Sequence, residues 1–457
     1  MVRFAHRRRF GDALLARALA LVALATVTGC RGGAAEFLGR FDASMPSMPV
    51  TLPTTQEPHE VHFTYTGPDE VTFDWRGDGT TVRYWAKDLP PRTVNAHPAT
   101  PTPTSMSGPF QEAVADQLVP GLEYQFEVGH PMKPQGHAFR APPAPGASGF
   151  TFAAVGDLGD TGGQPAAAGV HRDMRLADPW FVLALGDLSY ADLKNQAAVD
   201  RHFEDVMIWS QRAAYMPAWG NHEWSDPARD DLRNYKGRFA LPHAAASPGA
   251  PEISCCGEDW YWFDFGSVRF IIYPEPYTHD TWVDWAKRSE PLFVEAEANP
   301  LIKFVITAGH RPAYSSGHHG SDPQLRAILD GFGKRFPKYV LNLNGHSHVY
   351  ERTKPQAHVV HITAGTGGGA LEHAASPCLW DVCKPPSFTA FRAIHHGFVK
   401  VSVRPKELRV EAICGPPSAG NEDIACSDGE IVDEIVIPAG GVAESAPVRH
   451  QADQLFH

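Results

Sequence analysis

Five short apolar runs in this chain end alike, in a glycine followed within a few residues by a side chain that can bind a metal ion. Residues 150–155 lead into Gly156-Asp157-Leu158-Gly159, and residues 180–185 into Gly186-Asp187-Leu188-Ser189-Tyr190. Residues 216–219 lead into Gly220-Asn221-His222-Glu223, residues 304–308 into Gly309-His310-Arg311-Pro312, and residues 340–344 into Gly345-His346-Ser347-His348. A buried strand carries the chain to the edge of a sheet, where glycine permits a sharp turn and a close backbone approach. The next side chain then points into the crevice beyond the strand ends. Converging on one point, the five ends offer Asp157, Asp187, Tyr190, Asn221, His310, His346 and His348. Such a mixed oxygen and nitrogen set suits hard or borderline metals rather than thiophilic ones. Each tract alone reads as an ordinary turn; the argument for a metal site is the set, because independent turns would not supply seven compatible donors.

The elements that must position these donors fall in residues 149–438, where apolar runs alternate with segments of helical pattern. The spacing predicts helices over 289–298, with Ser289 as cap and Pro291 in the first turn, and over 322–332. That alternation indicates a layered α/β architecture. Residues 59–143 differ in texture: Val71-Thr72-Phe73-Asp74-Trp75, Val82-Arg83-Tyr84-Trp85 and Tyr124-Gln125-Phe126-Glu127-Val128 are short, β-branched or aromatic, and separated by turns. They predict a small all-β sandwich ending near Phe139, followed by a Pro- and Ala-rich linker over 141–148.

Both ends of the chain read as something other than fold. Arg7, Arg8 and Arg9 precede an apolar run over 14–28 that is short for a membrane span, as in a secretory signal over 1–29. Val27-Thr28-Gly29-Cys30 resembles a bacterial lipobox, which would make Cys30 a lipidated N-terminus and residues 30–58 a tether. The protein is then expected outside the cytoplasm, anchored at the cell envelope, and residues 439–457 form a polar tail expected to be disordered. The six cysteines beyond Cys30 suggest disulfides in such a compartment. The pairs Cys378 with Cys383 and Cys414 with Cys426 are the simplest of 15 possible connectivities, and the adjacent Cys255-Cys256 has no assigned role. A formal net charge of -12 argues against a nucleic-acid partner, since phosphate-neutralising surfaces are basic. An anionic substrate would need a locally positive site, which bound cations supply.

The order G-D-x-G, G-D-x-x-Y, G-N-H-E, a His after an apolar strand, and G-H-x-H resembles the calcineurin-like metallophosphoesterases. Tyr190, three places after Asp187, is similar to the position that marks the purple acid phosphatases among them. Trp75, Val82-Arg83-Tyr84 and Pro120-Gly121-Leu122-Glu123-Tyr124 resemble that family's N-terminal domain, and His348-Val349-Tyr350-Glu351-Arg352 continues the last motif. The resemblance implies a fibronectin type III-like sandwich over 59–143 followed by a four-layer αββα metallophosphoesterase sandwich over 149–438. It implies one metal on Asp157, Asp187, Tyr190 and His348, and a second on Asp187, Asn221, His310 and His346, with Asp187 bridging. The tyrosinate suits Fe(III), paired with a divalent Fe, Zn or Mn ion.

On this reading two metals clamp the phosphate of a small ester and acidify a bound water for in-line attack, without a covalent protein nucleophile. Candidates to protonate the leaving group are His222, beside Asn221, and His318 with His319, after Tyr314-Ser315-Ser316-Gly317. Spacing from His310 favours His319 as the counterpart of the family's acid. The run Gly365-Thr366-Gly367-Gly368-Gly369 lacks the Gly-Lys-Ser/Thr of a nucleotide loop and reads as a turn at the rim of the site. Two alternatives remain open: a phosphodiesterase or nucleotide hydrolase on the same two-metal scaffold, and a surface binding module whose metal domain is inert.

Overall fold

A computed structural model describes residues 57–103, 108–129, 135–159, 166–224, 232–250, 257–372, 374–375, 378–379, 384–417 and 422–441. The expected signal, Cys30, nearly all of the tether and residues 442–457 of the tail lie outside these, as do Cys255, Cys256 and the Cys378 to Cys383 pairing. Cys414 and Cys426 form a disulfide.

The N-terminal strands build two antiparallel four-stranded sheets. One runs His59–Gly67, Glu70–Arg76, Phe110–Ala115, His97–Pro98, and the other Arg92–Asn95, Thr81–Trp85, Glu123–Val128, Gln135–Arg140. Burial alternates along Glu123–Val128, as the two-residue period of a strand with one wet face requires. Between the sheets Phe63 meets Phe139 at 5.6 Å and Phe73 meets Phe126 at 4.7 Å, a sandwich core made of inward-facing rings.

Two further sheets follow. The six-stranded one has the order Ala214–Ala218, Phe181–Leu185, Phe150–Val155, Gly397–Val403, Glu407–Cys414, Ile431–Pro438, its first three strands parallel. The seven-stranded one runs Tyr261–Phe265, Val268–Ile272, Phe304–Ala308, Tyr339–Asn344, Val360–Ala364, Tyr350–Thr353, Thr389–Ala393. Phe152 and Phe181 of the first meet Phe270 of the second at 5.2 and 5.3 Å, so the sheets pack face to face. The central strands are buried on both faces almost throughout and read as largely apolar runs for that reason. Helices Ala166–Leu176 and Met207–Ser210 pack together on the outside of the six-stranded sheet, and Thr281–Ala298 and Pro323–Gly333 cover the seven-stranded one, giving four αββα layers.

Two local expectations need correction. The helix predicted over 289–298 starts at Thr281, and Pro291 lies in its interior rather than its first turn. Its buried face begins upstream with Trp282 and Trp285 and continues through Ser289, Phe293 and Ala296; Pro291 is on the exposed side. The packing of two buried indoles carries the helix through a residue that removes one backbone hydrogen bond. Asp322, by contrast, caps Pro323–Gly333 by accepting from the N–H groups of Gln324 and Leu325. The second correction concerns the segment over 141–148, which is pinned rather than free. Gly146 N–H donates to Gly266 O at 2.8 Å, Ala141 N–H to Leu122 O at 2.9 Å, and Pro142 O accepts the Gly121 N–H at 2.9 Å. The described residues accordingly form one compact unit, in which the Tyr65 and Phe265 rings meet at 4.8 Å, tilted by 44°, and Glu60 pairs with Arg238.

Candidate metal centre

Parallel pairing puts the C-terminal ends of Phe150–Val155, Phe181–Leu185 and Ala214–Ala218 at one edge of the first sheet, and those of Phe304–Ala308 and Tyr339–Asn344 at one edge of the second. The turns beyond them are bonded to one another: Asp157 N–H to Gly186 O at 2.9 Å, Leu158 N–H to Asp187 O at 3.0 Å, Gly345 N–H to His310 O at 2.9 Å. A Cβ on Gly156 would lie 2.9 Å from the Gly345 Cα, so only glycines let the two sheet edges meet there. Asp157, Asp187, Tyr190 and His346 all sit at positive φ, between 52° and 71°. That conformation strains a side chain as bulky as tyrosine, and its recurrence at these strand ends aims the side chains inward.

All seven sequence-predicted donors are brought into two adjoining groups. In the first, Tyr190 Oη is 3.0 Å from Asp157 Oδ1 and 2.9 Å from His348 Nε2, which is itself 3.2 Å from Asp157 Oδ1. In the second, His310 Nε2 lies 3.1 Å from Asp187 Oδ2, 3.2 Å from Asn221 Oδ1 and 3.1 Å from His346 Nδ1. The groups are joined where Asp157 Oδ2 accepts the His346 N–H at 2.9 Å. Donors held at right angles about 2.1 Å from a cation would be about 3 Å apart. The observed spacings of 2.9–3.2 Å are those of such a shell, and a pair of ring nitrogens facing each other at 3.1 Å is favourable with a cation between them. The residues present therefore fit two cations, one on each group.

Charge coupling runs through the cluster. Burial works against charge on Asp187, yet His310, His222 and His346 hold its carboxyl well below the usual range. Burial opposes protonation of His310 and His348, but the Asp187 and Asp157 carboxylates raise them to about 10 and about 9. Burial, then Asp157 and Asp187, push the Tyr190 phenol up. Each of these protons occupies a position a cation would take, so binding metal releases protons.

The proton-handling candidates lie around this core. His222 donates its backbone N–H to Asp187 Oδ1 at 3.0 Å, and its Nδ1 is 2.7 Å from Asp192 Oδ2. Burial lowers the His222 pKa, but Asp192 and Asp187 outweigh it and the net shift is upward. His319 stacks on His346 with centroids 4.1 Å apart, and its Nε2 is 3.4 Å from Glu372 Oε1; His318 meets His319 edge-on at 5.0 Å. The glycine run lies against the donors: Gly365 to Gly369 are buried, a Cβ on Gly369 would lie 2.7 Å from the His348 ring, and Gly369 N–H donates to Asp157 O at 2.9 Å.

Several residues of the site carry no role in the sequence reading. Glu223 is buried, its Oε2 accepting the N–H groups of Asp187 and Gly220 and its Oε1 that of Leu188. An acid three residues after the glycine that opens a helical turn is a capping signal visible in sequence. Asp192 sits in the 3-10 turn Ala191–Leu193, and Glu275 and Glu372 come from loops; no local pattern reports what any of them faces. Arg311 stands inside a motif, but its partner Glu275 is 36 residues away.

The calcineurin-like phosphoesterase family model matches residues 150–350. Over 398 residues the chain is 25% identical to Fe(3+)-Zn(2+) purple acid phosphatase 12 of Arabidopsis thaliana, covering 77% of this chain and 80% of that protein. It is 24% identical to human acid phosphatase type 7, covering 83% and 90% respectively. Among solved structures, a purple acid phosphatase from yellow lupin seeds superposes with a TM-score of 0.66 at 20% identity, over 88% of this chain and 78% of that one, which shows a shared fold.

Proposed function

The chain carries a calcineurin-like metallophosphoesterase domain, and from that premise we propose that it hydrolyses small phosphate monoesters as purple acid phosphatases do. The observation that carries the proposal is the meeting of Asp157, Tyr190 and His348 beside Asp187, Asn221, His310 and His346 at 2.9–3.2 Å. Asp157, Tyr190 and His348 would hold Fe(III), a hard ion matched to a phenolate; Asn221, His310 and His346 would hold a divalent Zn, Fe or Mn ion, with Asp187 shared. A pair of cations there supplies Lewis-acid polarisation of the phosphoryl oxygens and an acidified water.

The remaining steps belong to the chain's own side chains. His222, with Nδ1 held by Asp192, presents its ring beside Tyr190 at 4.7 Å and is placed to donate to a phosphoryl oxygen. His319, against His346 and oriented by Glu372, is placed to hand a proton from its ring to the departing alkoxide, with His318 beside it. Buried Glu223 holds the turns that carry Asp187 and Asn221 by accepting their backbone N–H groups at Asp187, Leu188 and Gly220, and Gly365 and Gly369 let the chain pass close against Asp157 and His348.

The signal-like N-terminus and the lipobox-like Val27-Thr28-Gly29-Cys30 support an exported, lipid-anchored protein. Purified enzyme tests the central proposal: it should contain two metals per chain and cleave phenyl phosphate faster than bis-phenyl phosphate. Tyr190→Phe should keep the fold and lose a visible absorption band. A colourless enzyme with a diester preference would instead favour a diesterase with two divalent ions.

A further inference from the structure

Arg311 follows the donor His310 directly and is anchored from the side. Its Nε donates to Oε1 of buried Glu275 at 2.6 Å, while 30% of its side chain remains open to solvent. A planar guanidinium can commit one edge to an anchor and present another edge to a ligand, which a lysine cannot. The Nη1 edge faces the site, 3.4 Å from Nε2 of His346.

In that contact the Nη1 N–H is directed at the ring nitrogen, a long hydrogen bond that holds while Nε2 carries no proton. The other nitrogen of the ring, Nδ1, is turned to His310 and the donor group at 3.1 Å. A ring bound to a cation through Nδ1 carries its proton on Nε2. Arg311 Nη1 and His346 Nε2 would then be two neighbouring donors 3.4 Å apart, and the guanidinium, anchored through Nε, is free to turn Nη1 to an incoming acceptor. An anionic oxygen there would satisfy the two donors at once.

The position of His319 says which part of a substrate this oxygen belongs to. His319 stacks on the same His346 ring at 4.1 Å, so the proton donor to the leaving group and the Arg311 fork share one neighbour. In a chain of net charge -12 a fixed cation at this point is also the feature that would draw in an anionic leaving group. We infer that Arg311 is a specificity-determining residue that recognises a second anionic group, a carboxylate or a phosphate, on the leaving-group side of a phosphomonoester. The inference rests on the phosphomonoesterase reading above and adds a substrate class to it.

Three matched esters test it: phenyl phosphate, 4-carboxyphenyl phosphate and 1,4-phenylene bisphosphate, assayed with metal-loaded wild-type protein, Arg311→Gln and Arg311→Lys. The wild type should prefer the anionic esters in kcat/KM, and Arg311→Gln should cut that preference roughly tenfold or more, as loss of a charge-assisted hydrogen bond would. Arg311→Lys, which keeps the charge but loses the fork, should retain part of it. A drop for only one of the two anionic esters identifies which anion is read. An equal loss on all three esters, or an unchanged preference in both variants, overturns the inference. A wild type that fails to cleave even phenyl phosphate sinks the phosphatase reading itself, and the inference with it.

Discussion

Glu223 accepts the backbone N–H of Asp187 at 2.9 Å, so a carboxylate that touches no metal position fixes the turn from which a shared ligand projects. The same side chain takes the N–H groups of Leu188 and Gly220 at 2.8 and 2.7 Å, tying two strand ends together. Burial, and then the charge of Asp187, push its carboxyl up to about 8. Glu223→Gln keeps the shape but turns an amide N–H against a backbone N–H. Loss of a supporting group of this kind typically weakens metal affinity or activity by roughly ten- to a hundredfold. Chelator competition on the metal-loaded variant should show that loss; an unaltered metal affinity would mean the turn holds itself.

His222 depends in the same way on Asp192, 2.7 Å from its Nδ1. The carboxylate fixes the ring so that Nε2 faces the site, the arrangement needed to donate from that atom. Asp192→Asn should lower kcat about tenfold with a smaller effect on KM, the signature of an interaction made mainly in the transition state. Because the two residues act as a unit, Asp192→Asn added to His222→Ala should cost little more than His222→Ala alone. Additive losses in that cycle would show that Asp192 acts elsewhere.

The donors were legible because each follows a glycine at the end of a short, largely apolar strand, a signal contained within ten residues. The sheets were legible for the same reason: strands covered on both faces leave apolar runs such as Phe181–Leu185. The groups that orient the donors were not. Asp192, in the turn Ala191–Leu193, and the loop residues Glu275 and Glu372 become neighbours of His222, Arg311 and His319 only through the fold. Thr281–Ala298 was truncated in the sequence reading because Pro291 is a strong local signal, whereas Trp282 and Trp285 stabilise the longer helix through tertiary packing. The segment over 141–148 has the composition of a linker, but its bonds to Gly266, Leu122 and Gly121 depend on partners that composition does not report.

The contact between the N-terminal sandwich and the phosphoesterase part can be tested at Glu60 and Arg238, whose charged atoms meet at 2.8 Å with both side chains 1% exposed. Arg238 also reaches Asp200 at 2.5 Å, and Glu60 is shared with Arg76 at 2.7 Å. Removing one partner of a buried pair leaves an uncompensated charge and typically costs about 3–5 kcal/mol. Arg238→Met should destabilise the protein on that scale in chemical denaturation, and Glu60→Gln in the same chain should recover part of the loss. If the double variant is as unstable as the sum of the two singles, the pair does not hold the parts together.

Two histidines buried beneath the helices give stability its own pH dependence, away from the metal ligands. His171 is 3% exposed and its Nδ1 accepts the indole N–H of Trp209 at 3.1 Å; His202 is 5% exposed, with Nε2 2.7 Å from the Tyr215 hydroxyl. Burial lowers both, His171 to about 4. The unfolded chain takes up these protons near the ordinary value of about 6.5, while the folded chain resists them. Between about 6.5 and about 4 the unfolded state therefore binds more protons, and stability falls as the pH falls through that window. A depression from 6.5 to about 4 corresponds to about 3 kcal/mol for His171 alone, fully lost below pH 4 and fully present above pH 7. Denaturation midpoints compared at pH 4.5 and 7.5 should show a smaller acid loss in His171→Gln, whose amide oxygen can still accept from Trp209. An identical loss in the variant would assign the acid sensitivity to other groups.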